Sequence, residues 1–326
     1  MTVSLTLVCS ASDRTQRILD GRIGIRGANI SILSLPAEEM FSRAFETAEF
    51  AVTELSFSNF TRLTLEGACD YIGLPIFPSR TFRHSAIYIR TDRGIRTPAD
   101  LRGRTIGVRE YSNTATLVVK GMLADEYGVE ASEIRWRVGD VDVPERAEIP
   151  VPQVPPAFDI VAVPPGGLLS DMLAEGDLDA LVSYSPPACF GQAGVPVERL
   201  FPDYAQAEQD YFQRTGIFPI MHLIGIRRRL AQQHPELARS LFEAFSAAKD
   251  AAIADLAVMQ SLKVALPWCH AELSRTQAVM GADFWPYGIK RNLEAIRSLL
   301  RYSHSQGLTP RLATIEELFE PSLLDT

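Results

Sequence analysis

The sequence predicts an α/β protein of two lobes with a ligand cleft between them. Short β-branched runs alternate with capped helical runs from the first residues onward. The same rhythm restarts near residue 105, as it would in a second domain. An apolar run near residue 219 then leads into a mainly helical remainder, which is expected to pack back on the first sheet. A length of 326 residues agrees with about two domains. The expected division is 1–90 plus 219–326 as a discontinuous first lobe, with 91–218 inserted as the second. Ligands of such folds sit near the carboxyl ends of strands.

The elements follow in order. Residues 3–9 read as a strand, 15–20 as a short helix, 30–35 as a strand and 36–47 as a helix. A strand at 50–54 precedes a helix at 56–66, where Ser56 can cap the first turn and Gly67 can end the last. Alternation from His84 places His84, Ala86 and Tyr88 on one face of a further strand. In TPADLRG, Thr97 is an N-cap and Pro98 opens a very short helix. A strand at 105–109, the loop EYSNTAT and a helix at 114–127 come next. Seven prolines between residues 141 and 165 exclude regular helix or central strand there. A helix at 168–175 and a strand at 180–185 close the second series. A polar helix at 203–214, the returning strand segment, and helices at 235–255 and 290–304 separated by a tryptophan-containing loop complete the chain.

Composition narrows the function. With 46% hydrophobic and 22% charged residues the chain is ordinary globular protein. A formal charge of −8 argues against nucleic-acid partners and confines any anion site to a local cationic patch. The four cysteines show no CxxC spacing and read as reduced, mostly buried thiols. No apolar run approaches bilayer length and the opening lacks a basic leader, so a cytoplasmic protein without a membrane partner is expected. Dinucleotide, Walker and nucleophile-elbow motifs are missing. No metal-ligand spacing appears, so no metal is expected. A homo-oligomer is left open.

The local positive patch is FPSRTFRHSAIYIR, with Arg80, Arg83, His84 and Arg90. On spacing alone, solvated arginines and a packed histidine are the better account. Glu54 ends a strand, and Ser56 starts the helix after it; Arg14 follows the first strand. Tyr184 and Ser185 end a strand in the second lobe, Ser112, Asn113 and Thr114 surround a helix start, His222 lies in the returning strand, and Trp285 and Tyr287 could form an aromatic wall. Each has a structural reading at least as good from its position alone.

SDRTQRILDGRI, EFAVTELSFSNF, IFPSRTFRHSAIYIR, GIRTPADLRGRTIGV, LFPDYAQAEQDYFQRTGIFPIMH and MGADFWPYGI together resemble the 4,5-dihydroxyphthalate decarboxylase family. The match spans nearly the whole chain, and the family looks related to type 2 periplasmic substrate-binding proteins. The resemblance implies a carboxy-lyase of phthalate degradation that removes one carboxylate from a small aromatic diacid, giving 3,4-dihydroxybenzoate and CO2 without an organic cofactor. Such chemistry needs an acid, a base and a cation. On that ground His84 is expected to protonate the ring carbon, Glu54 or His222 to assist the phenol, and Arg83 with Arg14 to clamp carboxylate. Ser112, Asn113 and Thr114 then face the anion, whereas Arg80 and Arg90 stay as solvated hinge residues. The rival reading is a solute-binding protein that delivers an aromatic or heterocyclic acid to an ABC-type transporter.

Overall fold

A computed structural model describes residues 2–145 and 150–326. In chain order its elements are β1 (Val3–Val8), α1 (Asp13–Leu19), β2 (Ala28–Leu33), α2 (Ala37–Thr47), β3 (Val52–Ser56), α3 (Phe57–Leu65) and β4 (Tyr71–Arg80). Then come β5 (Ile87–Arg90), β6 (Thr105–Val108), α4 (Thr114–Tyr127), β7 (Arg135–Val138), β8 (Asp159–Ala162), α5 (Leu169–Glu175), β9 (Ala180–Val182), β10 (Val197–Arg199) and α6 (Tyr204–Thr215). The chain ends with β11 (Ile220–Arg227), α7 (Arg228–Gln233), α8 (Pro235–Leu256), α9 (Cys269–Met280), α10 (Leu293–Ser305) and α11 (Ile315–Leu318).

Two compact α/β units result. The first comprises Met1–Arg80, Phe212–Ile296 and Ala313–Thr326, and the second Thr81–Tyr211 and Arg297–Leu312. The boundaries fall at 80/81 and 211/212 rather than near 90 and 219, and two more at 296/297 and 312/313 assign Arg297–Leu312 to the second unit. The reason is strand pairing: β5 hydrogen-bonds to β9 and β10 and so belongs to the second sheet.

In the first unit the sheet order is β2-β1-β3-β11-β4. β1, β2 and β3 run parallel, and β11 pairs antiparallel with both β3 and β4. Pro75 and Pro78 lie in β4, an edge strand, where a missing N–H is tolerated. The β11–β4 register shifts on either side of His222, so the prolines and the irregularity occur together. Phe57, Phe77 and Phe319 pack with ring centroids 6.0–6.4 Å apart, tying the end of the chain into this core. Burying such rings contributes on the order of 2–3 kcal/mol each.

In the second unit the order is β10-β5-β9-β6-β7-β8. Tyr88, Leu169, Leu173, Leu178 and Leu181 form part of its core. β8 lies inside the proline-rich stretch expected to hold no central strand; it is an edge strand, which is where such a stretch can still pair. Residues 146–149 of that stretch lie outside the described residues. The strand expected from His84 starts only at Ile87, because His84–Ala86 is a single 3-10 turn. All four cysteines are free thiols and three are buried. No helix among the described residues is long and apolar enough to cross a membrane.

α4 presents Gly121 to the ring of Tyr302, and a Cβ there would overlap that ring. Tyr302 cannot retreat easily, since it is 4% exposed and its hydroxyl donates to Asp125 at 2.6 Å. Gly121→Ala is therefore expected to destabilise the protein by about 1–3 kcal/mol through overpacking. Chemical denaturation of the full chain measures this, and an unchanged midpoint would contradict the packing.

Candidate active site

Glu54 sits near the carboxyl end of β3, where the parallel β1–β3 pair leaves its ligand-facing edge. It is 1% exposed. Its Oε1 lies 2.6 Å from His222 Nδ1 on β11, and its Oε2 accepts the Ser10 amide at 2.7 Å. The β3–β11 register opposes His222 to Ser56 and Ile224 to Glu54, so Glu54 and His222 are diagonal neighbours. The Ser10 amide is held in place by a short local network: Thr15 Oγ1 donates to the Ser10 carbonyl at 2.7 Å and accepts from the Ser12 amide at 2.9 Å.

Burial pushes the Glu54 carboxyl upward. The His222 hydrogen bond and charge, with the Ser10 amide, outweigh it and hold the group below the usual carboxylate range. An ionised carboxylate only accepts hydrogen bonds, so His222 Nδ1 carries the proton toward Glu54. Nε2 is then the atom left to exchange a proton. Phe41 packs edge-on to the imidazole at 4.9 Å and fixes its plane.

Arg14, at the start of α1, lies over Trp285 with 4.0 Å to the ring centroid. Its Nε donates to the Pro78 carbonyl at 3.2 Å and its Nη1 to Asp13 at 2.6 Å. Trp285 is anchored by its indole N–H to the Phe77 carbonyl at 2.9 Å and by Phe218 edge-on at 5.2 Å. The first unit thus assembles an acid–imidazole pair, a guanidinium and an aromatic face. Ser56 ends β3 and directly precedes α3, but its side chain makes no capping bond to the helix amides.

Arg80 is not a solvated hinge residue. It is 5% exposed, donates to the Pro286 carbonyl at 3.1 Å and to Asn292 Oδ1 at 2.6 Å, and burial lowers its pKa to about 9. A cavity of about 360 Å³ in this unit is lined by Arg80, Phe218, Asp283, Arg291 and Asn292, and by neither Glu54 nor His222. Its cations are already engaged, with Arg291 on Asp283 at 2.8 Å. The chemistry, a buried carboxylate on an imidazole, locates the candidate site better than the cavity does.

The second unit gathers a different set. Arg83 lies 5.3 Å from the Tyr184 ring centroid, and its Nε is buried without a hydrogen-bond partner among the described residues. Asn113 donates through Nδ2 to the Tyr184 hydroxyl. Its Oδ1 also accepts the Thr116 amide at 2.8 Å, so the helix start is capped by its own chain. Ser112 donates to Glu110 at 2.7 Å, Thr114 is buried, and Ser185 is exposed beyond the end of β9. Lys120 of α4 anchors the loop before it: its Nζ donates to the Tyr111 carbonyl at 2.8 Å and lies 3.0 Å from the Tyr111 ring centroid.

His84 is 1% exposed and packs edge-on against Phe201 and Tyr211 at 5.1 and 5.4 Å. Arg90, also expected to be solvated, is 7% exposed; it pairs with Asp92 at 2.6 Å and donates to the Leu173 and Ala174 carbonyls. Glu208 was missed at the sequence level. It accepts the Ser85 amide at 3.4 Å, and burial pushes its carboxyl up to about 7 against the pull of nearby amides and Arg83. Its only signal was membership of the motif LFPDYAQAEQDYFQRTG. Among the described residues, no group of three or more His, Cys, Asp or Glu side chains is arranged to hold a metal ion.

No protein-family model matches the chain. It is 38% identical over 324 residues to the 4,5-dihydroxyphthalate decarboxylase of Comamonas testosteroni, covering 99% of this chain and 98% of that one. It is 37% identical over 211 residues to the 4,5-dihydroxyphthalate decarboxylase of Pseudomonas putida, covering 65% and 82%. Among solved structures, the periplasmic aliphatic sulphonate binding protein SsuA of Escherichia coli matches with a TM-score of 0.53 at 14% identity, over 98% of this chain and 92% of that one. A putative periplasmic sulfonate-binding SsuA of Methylobacillus flagellatus matches with a TM-score of 0.56 at 13% identity, again over 98% and 92%. At that identity the structural likeness shows the fold alone, a two-lobed α/β architecture of the periplasmic-binding-protein type.

Proposed function

The chain belongs to the 4,5-dihydroxyphthalate decarboxylase family, and from that premise we propose that it removes one carboxylate from 4,5-dihydroxyphthalate with the Glu54–His222 pair as its proton-handling centre. The products are 3,4-dihydroxybenzoate and CO2. The observation that carries the site assignment is the 2.6 Å contact between a fully buried carboxylate and a half-buried imidazole at a strand end.

The chemical problem is the electron pair left when CO2 departs. In an aryl carboxylate that pair lies in the ring plane and cannot delocalise. Each carboxylate of 4,5-dihydroxyphthalate has a hydroxyl para to it, which opens another route. Loss of the phenolic proton pushes electrons into the ring; the carboxyl-bearing carbon then takes a proton and the ring becomes a dienone. Breaking the bond to CO2 returns the pair to the ring, restores aromaticity and regenerates phenolate, which is reprotonated. The net change is one proton in and one CO2 out.

His222, facing ionised Glu54, is the proposed donor to the ring carbon through Nε2. This differs from the sequence-level assignment of that step to His84. The near-complete burial of His84 between two aromatic rings supports a packing role for it instead. Arg14, held against Trp285, is proposed to bind carboxylate, and Arg83 to supply a carboxylate-receptive cation in the second unit.

The test is direct. Purified protein incubated with 4,5-dihydroxyphthalate is expected to release CO2 and accumulate 3,4-dihydroxybenzoate, and in D2O the product carries deuterium on the carbon that lost its carboxylate. Tight binding of an aromatic acid with no turnover of any hydroxylated phthalate or benzoate would instead support a solute-binding protein.

A further inference from the structure

Tyr287 is 7% exposed, and its hydroxyl oxygen is buried without a hydrogen-bond partner among the described residues. A tyrosine that only fills space would be better as phenylalanine, because a buried unsatisfied hydroxyl costs stability. The surrounding loop is tied down, so the ring has little freedom to find a partner. The Trp285 indole and the Gly288 amide donate to the Phe77 and Pro75 carbonyls of β4 at 2.9 and 2.8 Å. Asn292 Nδ2 donates to the Pro286 and Gly288 carbonyls at 3.0 and 2.7 Å. Gly288 adopts φ +90°, and a Cβ there would meet Thr326 at 3.0 Å.

The hydroxyl lies within electrostatic reach of Arg14 and Glu54, and burial raises its pKa, so the O–H is retained. Arg14 meanwhile cannot offer its side-on fork, because Nε is taken by the Pro78 carbonyl. With Nε on Pro78 and Nη1 on Asp13, only Nη2 lacks a partner among the described residues. A carboxylate that meets Nη2 through one oxygen leaves its other oxygen in need of a donor.

We propose that Tyr287 determines specificity for the aromatic diacid by donating its phenolic O–H to the second oxygen of the carboxylate bound at Arg14. This rests on the reading of Arg14, Glu54 and His222 as the reacting site. Arg14 supplies charge and Tyr287 supplies a neutral donor, so a carboxylate is preferred there to a ring hydroxyl. The carboxylate they hold is the one that stays on the ring, since hydrogen bonds to the departing group would oppose its conversion to CO2.

Tyr287→Phe in the full chain tests this, using phthalate and catechol as competitive inhibitors of turnover. Loss of one hydrogen bond to a charged group is expected to weaken phthalate inhibition and raise KM about tenfold, roughly 1.4 kcal/mol. Catechol inhibition and kcat are expected to stay within about threefold, the signature of lost uniform binding. The melting temperature should be unchanged or higher. Unchanged phthalate inhibition, or weakened catechol inhibition in its place, would overturn the assignment. So would a melting temperature several degrees lower, which would reveal a structural partner for the hydroxyl. Wild-type turnover and its response to substitution at Glu54 report on the underlying reading independently: an active Tyr287→Phe enzyme with normal phthalate inhibition removes this proposal and leaves that reading intact.

Discussion

Glu54→Gln is expected to lower kcat by about 10²–10⁴-fold, the range typical for loss of a general acid–base function. The substitution is close to isosteric, so Ser10 can still donate to a side-chain oxygen. What disappears is the negative charge that faces His222 Nδ1. A drop in kcat with little change in KM is the expected pattern, measured by steady-state turnover of 4,5-dihydroxyphthalate. Full turnover in a folded variant would remove Glu54 from the reaction.

The same substitution has a stability signature. The folded-state carboxyl of Glu54 lies below its unfolded value, so its contribution is fully present above about pH 4.3 and is lost as pH falls through the folded pKa. The variant is therefore expected to be less stable than wild type at neutral pH, by about 1–3 kcal/mol. That gap should close as the pH is lowered below 4. Denaturation at pH 7 and pH 3 measures it.

Arg14→Ala is expected to reduce kcat/KM by about 10–100-fold, since a hydrogen bond to a charged group is worth about 1.5–3 kcal/mol. Most of the loss should fall in KM. Wild-type KM should rise with salt as the attraction between guanidinium and dianion is screened, and the variant should respond less steeply. Arg14→Lys restores charge without the planar contact to Trp285, so partial recovery is expected. A variant with unchanged KM at low ionic strength would place the carboxylate contact elsewhere.

Much of the architecture was legible because the strands that matter are apolar and bounded. β1, β3 and β11 announce themselves by composition, and Glu54 was visible as an acid ending a strand and His222 as a histidine within one. Their pairing was not, since 168 positions separate them and only sheet register brings them together. Local pattern misled where tertiary partners decided the outcome. His84 looked like a strand residue because Ile87, Tyr88 and Ile89 follow it, yet the backbone first makes a 3-10 turn. Arg80 and Arg90 looked solvated by residue type alone, whereas both are consumed by backbone carbonyls and side-chain acceptors from distant segments. The helix Cys269–Met280 was hidden behind the tryptophan-containing loop that precedes it. Tyr287 was visible only as an aromatic wall beside Trp285 and Glu208 only as a member of its motif, because an unsatisfied hydroxyl and a desolvated carboxyl are properties of surroundings rather than of sequence.

The position of β11 between β3 and β4 bears on how the chain is made. During synthesis, the first 80 residues emerge with every other strand of their sheet, but β3 and β4 have no direct partner in one another. The missing strand, Ile220–Arg227, arrives only after about 140 further residues. Until then two strand edges stay open, and the carboxylate of Glu54 waits without its imidazole. Such long-range closure slows folding and exposes edges to wrong pairing. The acid–base pair is thus also the point at which the nascent sheet is sealed, so the active centre and the late step of folding coincide.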